Sequence, residues 1–162
     1  MLNFFKMNKN NGVSGFSMIE FLIVFVIISI ISSIVLLNLS NFRNDQILKN
    51  TTLDVVSLLN KARQNTLSSI NSTNYSIHFE ANKVTLFTGS VYSSSDPTNE
   101  VINFNRVITI PLDGINIGGG SDLTFERLTG GSIGGSITIR LVPDLTKEKI
   151  ITISNTGIIS SN

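Results

Sequence analysis

The chain has 162 residues, 41% of them hydrophobic, a formal net charge of +1 and no cysteine. That length supports one domain with an appended element rather than two full domains. The absence of thiols excludes disulfide staples and thiolate metal sites. The charge balance contains no basic block that would call for nucleic acid or an acidic substrate.

Residues 1–15 (MLNFFKMNKNNGVSG) are polar and basic, through Lys6 and Lys9. Residues 16–39 (FSMIEFLIVFVIISIISSIVLLNL) follow, with Glu20 as their only charge. As a helix this run measures about 36 Å, enough to cross a hydrocarbon core of about 30 Å. Basic residues before it, against Asn38, Asn41 and a lone Arg43 after it, favour a cytoplasmic N-terminus. Three membrane readings compete. A cleaved secretory signal needs a shorter apolar core and a small-x-small site behind it, and LLNLSNFRND has none. An uncleaved anchor explains length and charge bias but not Glu20, since a carboxylate at the bilayer centre costs about 2.5–3.5 kcal/mol, less near the interface. A cut ahead of the apolar run supplies Glu20 with a partner.

Gly15-Phe16-Ser17-Met18-Ile19-Glu20, leading straight into FLIVFVIISII, resembles the type IV prepilin signature. The resemblance implies that a membrane-embedded aspartyl prepilin peptidase cuts after Gly15 on the cytoplasmic side. It also implies that the peptidase methylates the new amine of Phe16, and that Glu20 is the family's glutamate. Ser17 and Met18 depart conservatively from the commonest Thr-Leu. Cleavage there preserves the membrane helix and leaves a terminal amine that is largely cationic at neutral pH. In a staggered helical bundle that amine can meet a neighbour's Glu20. Two buried charges help only when they find each other, so the pair acts as a register device more than as glue. Without residues 1–15, Lys and Arg fall from 12 to 10 against 11 acids, a side-chain charge of −1.

Neither glycine nor proline occurs between Phe16 and Thr88, so nothing breaks the helix early. Leu48, Thr52, Val55, Leu59, Ala62 and Thr66 recur every three or four residues, a one-sided stripe that Val56, Leu58, Leu67 and Ile70 widen. One helix over residues 16–70 is expected, its second half laying this face on a head. Ser29, Ser32 and Ser33 are small enough for neighbouring helices to approach closely.

Beyond Asn71 the period becomes two. Residues 75–79 and 83–87 read as a hairpin turning at Glu80-Ala-Asn82, with further strands at 107–110, 123–125, 137–141, 150–153 and 158–159. Breaks fall at 93–97, 118–120, 130–131, 134–135 and Pro143-Asp144. The expected fold class is α+β: a long N-terminal helix packed on an antiparallel β-sheet head. The expected organisation is a leader at 1–15, a membrane or filament-core helix at 16–39, its amphipathic continuation at 40–71 and a β-rich head at 72–162. The helix with Leu58-Leu59-Asn60-Lys61-Ala62-Arg63-Gln64, the Ile77/Phe79 strand and the closing strands to Gly157 are similar to the GspH/FimT branch of minor pilins. That likeness implies a low-copy subunit that helps to start a filament, and Glu20 places it away from the extreme tip.

As partners the resemblance implies prepilin peptidase, other pilin or pseudopilin subunits, an inner-membrane assembly platform and the bilayer. It implies a single-pass cytoplasmic-membrane protein with its head outside, later part of a periplasmic or cell-surface filament. His78, the only histidine, sits opposite Ile77 and Phe79 on an alternating strand and is expected to be exposed, with no metal role. The glycine pairs lack a P-loop's Lys-Ser/Thr and read as turns. Asp96, Asp113 and Asp122 are expected on loops and lack calcium-loop spacing. With one histidine and no cysteine, no catalysis and no cofactor are expected. Two other readings stay open: a DNA-receptor pilin, if the fold gathers Arg127, Arg140 and Lys149, and a plain membrane-anchored β domain.

Overall fold

The computed structural model describes residues 15–118 and 120–162, except for the side chains of residues 35–38. The expected leader apart from Gly15, including Lys6 and Lys9, lies outside the described residues, as do Gly119 and the side chain of Asn38. Contacts divide the chain between Ser40 and Asn41 into two units. One helix, α1, spans Met18–Leu67 and contributes to both.

In the first unit the helix opens on the Ser17 carbonyl, which accepts from the Glu20 and Phe21 N–H groups at 3.1 and 3.2 Å. Every described side chain along residues 18–34 is exposed. Ser29 and Ser33 donate their hydroxyls back to the carbonyls of Phe25 and Ser29, at 2.8 and 2.9 Å.

In the second unit α1 buries the anticipated stripe: Leu48, Thr52, Val55, Leu59, Ala62 and Thr66 are all 5% exposed or less. The two threonines of the stripe are tolerated because each hydroxyl donates to the carbonyl four residues back, Thr52 to Leu48 and Thr66 to Ala62. The helix stops at Leu67, three residues short of expectation, because Ser69, Asn71 and Ser72 take positive φ and turn the chain into a 3₁₀ turn at Ile70–Ser72. Ile70 is consequently 43% exposed instead of widening the stripe.

Nine strands follow among the described residues: β1 Tyr75–Glu80, β2 Lys83–Thr88, β3 Glu100–Asn103, β4 Ile108–Thr109, β5 Ile115–Asn116, β6 Asp122–Thr124, β7 Gly135–Leu141, β8 Glu148–Ile153 and β9 Ile159–Ser161. All pair antiparallel, in a sheet ordered β3-β2-β1-β6 and a second ordered β4-β7-β8-β9 with β5 also on β7. The β1–β2 hairpin closes at Glu80↔Lys83 over Ala81-Asn82, as expected. Two strands, β3 and β5, were not anticipated. The class is α+β. Ile77, Phe79, Val84 and Leu123 of the first sheet and Ile137, Ile139, Leu141, Ile151 and Ile153 of the second share one core with the α1 stripe.

Candidate functional site: the N-terminal motif and the head surface

Gly15 adopts no positive φ, and a Cβ added there would meet nothing within 4 Å. Among the described residues nothing requires glycine at this position. The contrast is Gly157, at φ 76, where a Cβ would run into the Gly130 carbonyl and the Arg63 side chain. Phe16 is 86% exposed. Glu20 lies in the first turn of α1 and is exposed, with no ion pair among the described residues. Around it, Met18, Ile19, Phe21, Leu22, Ile23 and their successors to Ile34 form a continuous exposed apolar surface. A surface of that size and composition is built for lipid or for other helices, not for water.

On the head, the three cations considered for DNA are not brought together. Arg127 follows β6 in the first sheet and donates to the Ser72 carbonyl at 2.8 Å. Arg140 and Lys149 lie on adjacent strands of the second sheet but on opposite faces. Arg140 pairs in register with Glu148 and binds its carboxylate at 2.9 and 3.0 Å, whereas Lys149 pairs with Ile139 on the core side. The alternation of strand side chains separates them.

His78 corrects the sequence reading. It does face away from Ile77 and Phe79, but it is largely covered, with 19% of its side chain exposed and its ring stacked on Tyr92 at 3.8 Å. Tyr92 also packs edge-on against Phe87, which is 2% exposed. Asp122 lies on β6 and not on a loop, and its carboxylate bonds His78 Nδ1; the Glu80 carboxylate is 3.7 Å from Nε2. Glu80 also hydrogen-bonds Lys83, which raises the lysine pKa. Asp96, on the β2–β3 loop, accepts from the backbone N–H and the hydroxyl of Thr98, and both lower its pKa. Asp113 lies in a 3₁₀ turn at Leu112–Gly114.

A family model described as the prokaryotic N-terminal methylation motif matches residues 10–36. The chain carries a prepilin-type N-terminus. Such a motif implies processing by prepilin peptidase and assembly with other pilin subunits. The type IV minor pilin FimU of Pseudomonas aeruginosa aligns with this chain at 15% identity and a TM-score of 0.55, over 71% of this chain and 92% of FimU. A second crystal form of FimU gives 17% identity and 0.54, over 71% and 87%. The minor pseudopilin EpsH from the type II secretion system of Vibrio cholerae gives 10% identity and 0.55, over 72% and 94%. These likenesses show a pilin-like fold. Comparison with curated protein sequences gives no match.

Proposed function

We propose that this prepilin-type chain is a minor pilin or pseudopilin, a structural subunit of a type IV pilus-like filament or of a type II secretion pseudopilus. One observation carries the reading. Among the described residues, the first half of α1 is an unpartnered apolar surface bearing a single acid, shortly after a glycine that no described contact requires. The fold shared with FimU and EpsH supports it. In this reading the peptidase removes residues 1–15 and methylates Phe16. The subunit waits in the cytoplasmic membrane with its N-terminus inside, and an assembly platform moves it into the filament. The Phe16 amine meets a neighbouring Glu20 there and sets the register, because neither charge is tolerable alone in an apolar surrounding.

Intact mass after co-expression with a prepilin peptidase tests the first step. Loss of residues 1–15 with one added methyl on Phe16 is expected, and an unshortened chain would leave a plain anchored domain. Glu20→Ala should be processed normally yet enter filaments poorly. Incorporation equal to the parent chain would remove the pairing.

A further inference from the structure

Asp45 lies six residues beyond Leu39, the last apolar residue of the run. Six residues reach at most about 21 Å whatever path they take. Lys147 Nζ binds both oxygens of Asp45, at 2.7 and 3.0 Å, which fastens the turn between β7 and β8 to the same point. That turn presents Val142 and Leu145, 51% and 63% exposed, on either side of Pro143-Asp144. It is a formed tip: Asp144 Oδ1 accepts from the Thr146 hydroxyl and N–H, and the Lys147 N–H donates to the Asp144 carbonyl.

Beside the tip lies a cleft of about 360 Å³ lined by Lys49, Thr52, Leu53, Lys149, Ser161 and Asn162. Neither lysine enters an ion pair among the described residues, whereas Lys61, Lys83, Arg140 and Lys147 do. Phe42 and Leu53, exposed by 61% and 52%, share the helical face of Lys49 at intervals of seven and four residues. Apolar side chains beside two lysines outside any ion pair fit a bilayer surface that carries negative headgroups; of the nearby acids, Asp45 and Glu148 are already engaged by Lys147 and Arg140, which leaves Asp144 as the one opposing charge of the tip. The span keeps such a surface within reach at all times, so even a weak contact is populated.

We propose that this end of the head rests on the anionic bilayer surface before assembly, with Val142 and Leu145 in the interfacial layer and Lys49 and Lys149 against lipid phosphates. The inference rests on the membrane-anchored reading above. It assigns the β7–β8 turn a storage role: the docked head is held down until extraction breaks the contact.

The chain has no cysteine, so a single introduced one carries an environment-sensitive dye. Three labelled full-length variants, Leu145→Cys, Leu128→Cys and Phe25→Cys, are placed in nanodiscs of phosphatidylcholine with and without phosphatidylglycerol. Leu128 N–H bonds the Thr66 carbonyl, about 31 Å along α1 from Asp45, and its exposed side chain is the water reference. The expected result is a lipid-like signal at 25, a water-like signal at 128, and at 145 a shielded signal that strengthens with phosphatidylglycerol. A water-like dye at 145 with a lipid-like dye at 25 overturns the docking alone. A water-like dye at 25 overturns the membrane reading itself. Shielding at 145 that persists in lipid-free detergent at high protein concentration and disappears on dilution means contact between copies, and also overturns it. Lys49→Gln with Lys149→Gln should weaken the phosphatidylglycerol response by roughly fivefold per lysine, and an undiminished response would remove the lysines from the contact.

Discussion

The two halves of α1 are built from similar apolar residues and meet opposite fates. Residues 18–34 expose every side chain, Leu22 by 54% and Phe25 by 58%, whereas Val55, Leu59 and Ala62, farther along, are at 0%. The apolar residues themselves do not separate them; what stands between those residues does. The second half interrupts its apolar residues with Asp54, Lys61 and Arg63 off the stripe, so only one face needs covering, and the chain supplies two sheets to cover it. The first half is apolar nearly all round, and no face of it is covered among the described residues. Its partner has to come from outside, as lipid or as other helices, and that external need is the clearest functional statement in the structure.

The largest test of this contrast is one substitution made in both halves. Leu59→Ala should destabilise the head by about 2–5 kcal/mol, through lost burial and the cavity left behind, read from denaturant unfolding in detergent. Leu22→Ala should leave that transition unchanged, and a comparable loss would mean that the first half also helps to hold the head. Next, Thr66→Val keeps the shape of a fully buried side chain but removes the oxygen that accepts the Tyr75 N–H at 3.0 Å. An expected cost of about 1–3 kcal/mol would show that the second half works through polar satisfaction as well as burial. Smaller still, a double-mutant cycle on Lys61 and Glu100, paired at 2.5 Å with both side chains about half exposed, should give about 0.2–1 kcal/mol and shrink with salt.

The smallest effect concerns pH. The Thr146 hydroxyl, then its N–H, lower the Asp144 pKa, with Lys147 assisting. A carboxylate depressed in the folded state contributes stability above its unfolded pKa and loses it as pH falls through the folded one. Stability should therefore decline as pH drops below the ordinary aspartate value of about 4. Asp144→Asn should slightly flatten that decline in acid titrations followed by circular dichroism.

The contrast was largely legible in the residues. Spacing alone placed the α1 stripe, and alternation placed the hairpin and the strands around Leu123, Ile137–Leu141 and Ile150–Ile153. Strand β3 escaped because Glu100–Asn103 is an edge with only Ile102, opposite Val84, packed on the core, so no alternation survives to be read. Strand β5 is two residues long and exists through its pairing with β7. The cover over His78 comes from Tyr92, fourteen residues away on a loop, which no local pattern encodes. The separation of Arg140 from Lys149 depends on register, and register is a property of two strands together. At the N-terminus the order of residues identified Gly15, Phe16 and Glu20 as candidates. What the structure adds is that, among the described residues, no packing demand explains the glycine.

Ser29 and Ser33 turn their hydroxyl protons inward, onto carbonyls of their own helix. A rod satisfied in this way can glide past a succession of greasy neighbours without breaking or remaking a hydrogen bond at either serine. In the assembly proposed above, Glu20, the lone charge in residues 16–39, would distinguish one resting depth from another, a detent on an otherwise smooth shaft.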